Sequence, residues 1–183
     1  MPETDINQLI ANLKASPLRF WVSPIQAARD LKALGPAAAA AVPAMAQTIA
    51  KAAASICSAS KRELATEILS SLGQLGPAAR PAVPAIIALA KSAEDALQAA
   101  LGQVASTPGA DILAKTMASG VDAEAALSIM GLGGDCADAL GRVTGQQFDY
   151  RENKGILRTW WESTGRHENW SRPGDSTAPP PSS

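Results

Sequence analysis

Few side chains in this 183-residue chain have the types and spacing that chemistry requires. The single histidine, His167, would have to serve any Ser/His/Asp or Cys/His relay, because such a relay needs a base held within hydrogen-bond reach of its nucleophile. It stands at the head of HENWSRPGDSTAPPPSS, a polar, proline-rich stretch with almost nothing to bury and so a poor mount for a base. Cys57 and Cys136 are too few for a disulfide framework and read as small buried apolar residues in a reducing compartment. No C-x-x-C or H-x-x-H occurs, so a zinc set is not expected. Gly131-Leu132-Gly133-Gly134-Asp135 has the look of a phosphate loop, but it follows a helical pattern instead of a strand and lacks the terminal G-K-S/T. It reads as a helix stop and restart. The acid pairs Glu94-Asp95 and Asp122/Glu124 fall at expected helix starts, where carboxylates meet the positive end of the dipole. The expectation is a protein without catalytic, metal or cofactor residues.

The elements that would position any site are helical. Asp5 to Ala15 carries Ile6, Leu9, Ile10 and Leu13 on one stripe, and Phe20-Trp21 then offers a cap for the open end of a helical stack. Ser23-Pro24-Ile25-Gln26 is a helix start with a capping box, and the helix should run to Leu34 and stop at Gly35-Pro36. Val42-Pro43 opens the next helix, with Val42, Met45, Ala46, Ile49 and Ala53 inward and Gln47, Thr48 and Lys51 outward. Ser60 and Glu63 form a second capping box ahead of Leu64, Ile68, Leu69, Leu72 and Leu75. Gly76-Pro77 ends that helix, and Val83, Ile86, Ile87 and Ala90 line the one after it.

This order repeats. LKALGPAAAAAVPA, residues 31–44, returns as LGQLGPAARPAVPA, residues 72–85, at a constant offset of 41 (76 − 35 for the glycines, 84 − 43 for the prolines). A fixed period of about 40 residues signals stacked helix pairs, each unit burying its apolar face on the next. Ala28, Met45 and Ala46 of the first copy become Leu69, Ile86 and Ile87 in the second, as expected where a unit has neighbours on both sides.

After Lys91 the period decays. Ser92 and Asp95 should cap a helix with Leu97, Leu101 and Val104, and Thr107-Pro108 should start its partner with Ile112, Leu113 and Met117. Asp122 should start another, with Ala125, Leu127 and Met130, stopped by Gly131–Gly134. Asp135 then caps Cys136 to Val143. Thr144-Gly145-Gln146-Gln147-Phe148 and a helix reaching Leu157, Trp160 and Trp161 would close the last unit, with Phe148 and a Trp folding back on it.

Two helices per unit, the 41-residue period, LG-P-A between the helices and AVPA opening the second resemble HEAT repeats of the bacterial HEAT-like type, including the phycobilisome-lyase-like repeats, over residues 23–93. The T-G-Q-x-F turn and the following helix resemble the C-terminal ending of such proteins, W-x-x-W-W, with Leu157 where the first Trp would stand. The resemblance implies an all-α fold: a short right-handed α-solenoid of about four stacked helix pairs with an aromatic C-terminal capping helix. Residues 1–165 would form one domain and 166–183 a disordered tail, in which Trp170 either docks on the body or serves as a recognition element. Ala178-Pro179-Pro180-Pro181 could adopt polyproline II and meet an aromatic groove.

For function, the residues point to a non-catalytic protein–protein interaction scaffold or accessory subunit, as part of a larger complex. The alternative, implied by the lyase-like members, is an accessory factor for a pigment or other small ligand. In stacked helix pairs the second helices usually line the concave side, which nominates Gln47, Thr48, Lys51 and Lys91 as partner-facing. A net charge of −1 and pI near 5.8 disfavour a nucleic-acid clamp. MPETDINQLI lacks a basic n-region with an apolar core, and no uncharged apolar run reaches about 18 residues, so a cytoplasmic location without a membrane span is expected.

Overall fold

The computed structural model describes residues 6–14, 24–105, 123–150, 153 and 155–170. Every regular element among them is helical: α1 (Ile6–Lys14), α2 (Pro24–Leu34), α3 (Val42–Ala53), α4 (Ala59–Leu75), α5 (Val83–Ala105), α6 (Ala123–Thr144) and α7 (Ile156–Ser163), with 3-10 segments at Gly35–Ala41, Gly76–Ala82 and Gly165–His167.

The two copies share their local backbone. Gly35 and Gly76 end α2 and α4 with φ of 54° and 56°, a region that side chains with a Cβ rarely enter. Each glycine opens a seven-residue 3-10 segment, longer than such segments usually run, with a proline in its first turn. Val42 and Val83 then enter the next helix with φ/ψ of −51°/−45° and −52°/−47°. Their N–H groups donate to the carbonyls of Ala39 and Arg80 respectively. Pro43 and Pro84 sit at the second helical position, where a missing N–H breaks no intrahelical bond.

Copy-equivalent elements are spatial neighbours: α2 packs on α4, α3 on α5, and the first 3-10 segment on the second. α1 covers α2 and α3 at one end. At the other end α6 lies against both α4 and α5, and α7 packs on α5. The apolar stripes meet in one core, in which Leu31, Val42, Met45, Ile49, Ile68, Leu69, Leu72, Ile86, Leu89 and Leu140 are almost fully buried. Each such side chain contributes about 2 kcal/mol by leaving water. Leu69 and Ile87 fill space where the first copy has Ala28 and the half-buried Ala46. Ser71, buried at the position matching Asp30, donates to the Ala28 carbonyl and ties α4 to α2.

Several expected boundaries are corrected. α5 runs unbroken through Ser92 and Asp95, so neither starts a helix. Glu94 and Asp95 face Arg158 of α7 instead, at 2.9 and 2.6 Å. α6 runs unbroken through Gly131–Gly134, and Asp135 lies inside it, accepting a hydrogen bond from Thr66 of α4 at 3.0 Å. A helical glycine costs only about 1 kcal/mol relative to Ala, so packing against α4 and α5 outweighs the expected stop. At Gly133 the reason for glycine is visible: an added Cβ would overlap the Tyr150 ring. The α6 stripe is Ile129, Leu132, Cys136, Leu140 and Val143, which leaves Met130 exposed. Ser60 lies within α4, whose N-cap is Ser58, and Glu63 pairs with Arg29 instead of closing a capping box. Cys57 is exposed; only Cys136 is buried, and burial pushes its thiol well above the ordinary range. The Phe20-Trp21 cap, Ser23 of the first capping box, the helix from Thr107-Pro108 and residues 171–183 lie outside the described residues.

Pro24–Ala53 has the length and mean hydropathy, 1.3, of a membrane span. It bends at Gly35, and its large apolar side chains Leu31, Val42, Met45 and Ile49 face the protein core.

Candidate functional site

The four residues expected to face a partner do not form one surface. Gln47 and Lys51 are exposed on α3. Thr48 is only 9% exposed, and its hydroxyl donates to the Ala44 carbonyl one turn back, so it belongs to the core side. Its spacing shows why: Met45, Thr48, Ile49 and Ala52 stand at i, i+3, i+4 and i+7, one buried stripe. Lys91 is half-buried and holds Glu162 of α7 at 3.6 Å.

The C-terminal end is built around tryptophan. Phe148 meets Trp160 edge-on at 5.2 Å between centroids, and both pack against the core, as the sequence leads one to expect. Leu157 is buried. The described residues continue past 165 to Trp170. Trp170 is 7% exposed, packs on Trp160 and Trp161, and donates from Nε1 to the Gly165 carbonyl at 2.7 Å. Gly165 is needed there, since a Cβ would come within 3.0 Å of both neighbouring indoles. Arg80 closes the cluster, its guanidinium 4.7 Å from the Trp170 ring centroid and 3.2 Å from Glu168. The first copy has Ala39 at this position, so this difference between the copies serves the C-terminal segment. His167 lies exposed in the 3-10 turn beside this cluster, bonded to Arg166.

A second buried cation, Arg62, is 7% exposed and donates to the Ile56 and Cys57 carbonyls and to Ser128 of α6. It fastens the α3–α4 turn to α6.

A concavity lies elsewhere. A groove of about 890 Å³ opens between one face of α6 and residues 146–150. Met130, Gly131, Gly134 and Asp138 form its α6 side at helical spacing, with Phe148 and Asp149 opposite. Met130, at 38%, is the exposed large hydrophobic side chain among the described residues. Asp135, Asp138 and Arg142 also line a smaller cleft of about 180 Å³ between α6 and α4. Asp135, Asp138 and Asp149 line the groove together with Arg142. Burial raises the Asp135 carboxyl above its ordinary range; the Thr66 hydrogen bond opposes this, and nearby Asp138 adds to it. Burial likewise raises the Tyr150 phenol at the groove wall. Among the described residues no group of three or more His, Cys, Asp or Glu is placed to hold a metal ion.

Sequence reasoning missed this groove. The expected helix stop at Gly131–Gly134 separated Met130 from Asp138, which the continuous helix brings to one face. No family model, curated protein or solved structure matches the chain.

Proposed function

We propose that the protein is a non-catalytic, protein-binding module of the HEAT-like kind, a short right-handed α-solenoid acting as a scaffold or accessory subunit within the cytoplasm. The observation that carries this reading is the side-by-side packing of copy-equivalent elements, α2 on α4 and α3 on α5, which is how stacked repeats extend a surface. The partly apolar groove beside α6, with Met130 exposed at its rim, is the surface best shaped for a partner. Gln47 and Lys51 on α3 are a second candidate face.

Tagged protein passed through extract of its own source cells should retain one defined protein in stoichiometric amount. Recovery of nothing above background contradicts the reading. The accessory-factor alternative draws on the groove's volume, which falls within the range of small-ligand sites, and on its acid and base groups. It predicts an absorbance change on mixing with a tetrapyrrole, whereas the protein-binding reading predicts none.

A further inference from the structure

We propose that residues 165–170 are a removable latch over a docking site for an acidic–aromatic segment of a protein partner, one with a carboxylate two residues before a tryptophan. This rests on the protein-binding reading and extends its surface: Phe148 lines the groove and also meets Trp160, which forms the floor of the latched site.

The chemistry of the occupant is that of the segment already seated there. Trp170 lies on Trp160 and Trp161 with the Arg80 guanidinium 4.7 Å from its ring centroid, and Glu168 pairs with Arg80. Trp170 Nε1 and the Glu168 N–H both donate to the Gly165 carbonyl, so the turn keeps these bonds if it lifts away. Its fit to the site is incomplete. Arg80 is 6% exposed, yet its Nε has no hydrogen-bond partner among the described residues. The fork of Nε and Nη2 is shaped to hold both oxygens of one carboxylate, whereas Glu168, tethered three residues beyond Gly165, meets Nη2 alone at 3.2 Å. Trp160 Nε1 is likewise buried without an acceptor. A buried donor left unpaired is costly, and both of these residues flank Trp170. A free segment can turn its carboxylate onto the whole fork and bring backbone carbonyls for the remaining donor, and so displace the tethered one. The repeat fold does not itself demand the cation, since the first copy has an exposed Ala39 in place of Arg80.

The test titrates full-length protein carrying fluorotryptophan with a short glycine peptide that has one glutamate two places before a tryptophan. The same peptide with glutamine for glutamate is the control. The Trp170 fluorine signal, assigned from its loss in Trp170→Phe, should move to the position of a solvent-exposed tryptophan with the glutamate peptide alone. Arg80→Lys keeps the charge and loses the fork, and should weaken binding about tenfold. Glu168→Gln loosens the latch and should tighten binding about threefold. A Trp170 signal that stays through both titrations would overturn the proposal and leave the segment a fixed part of the core. So would an equal response to both peptides, or unchanged binding in Arg80→Lys. A Trp170 signal that moves with protein concentration alone would assign the site to a second copy and overturn the partner. Failure of the titration with a partner still recovered from cell extract would remove the latch and spare the protein-binding reading. Absence of any partner would remove the reading itself.

Discussion

Asp135 shows how one side chain links packing to pH. Its carboxyl is raised in the folded state chiefly by burial, so between the ordinary aspartate range and its raised value the folded protein holds a proton that the unfolded chain has released. Stability therefore falls as pH rises through that window. Asp135→Asn keeps an acceptor for Thr66 and removes the titration. Urea midpoints taken across the acid range should fall with rising pH in the native protein and change less in the variant, which should be the more stable of the two near neutrality. Equal slopes would contradict the assignment. The glycines of α6 make a sharper test. Gly133→Ala pushes a methyl group into the Tyr150 ring and should cost about 1–3 kcal/mol. Gly131→Ala and Gly134→Ala meet open space and should each stabilise by about 0.5–1 kcal/mol. Chemical denaturation distinguishes the two signs.

At the scale of elements, the sequence is legible wherever a local rule decides. Gly35 and Gly76 take positive φ and end helices, Pro43 and Pro84 enter them, and Val42 and Val83 are buried between them, as their types and spacing predict. It is not legible where tertiary contacts override the rule. Ser92 and Asp95 look like a cap but lie inside α5, because Arg158 of a distant helix satisfies the acids. The glycines at 131–134 look like a stop, but α4 and α5 hold α6 straight across them. The groove went unread for the same reason. Trp170 sits in a segment too polar to suggest a fold of its own, and its place depends on Arg80, ninety residues earlier (170 − 80). Trp170→Ala should cost about 3 kcal/mol and shift the remaining tryptophan emission to the red, as Trp160 and Trp161 lose their cover. An unchanged melting temperature would mean the ring adds nothing to the core.

At the scale of the molecule, a 41-residue period has become two neighbouring copies, closed by α1 at one end and by α6 and α7 at the other. The copies differ where their surroundings differ. Ala39 is exposed, whereas Arg80 holds the C-terminal segment; Lys32 is half-buried, whereas Gly73 is buried where a Cβ would come 3.6 Å from the Ala139 Cα of α6. Function, we propose, belongs to the groove that α6 forms with residues 146–150, outside the repeated motif itself. Hydrogen–deuterium exchange on the protein alone and with its co-purified partner tests that most directly. Added protection along residues 130–142 and 146–150 is the expected result. Protection confined to α2 and α3, with those two stretches unchanged, would contradict it.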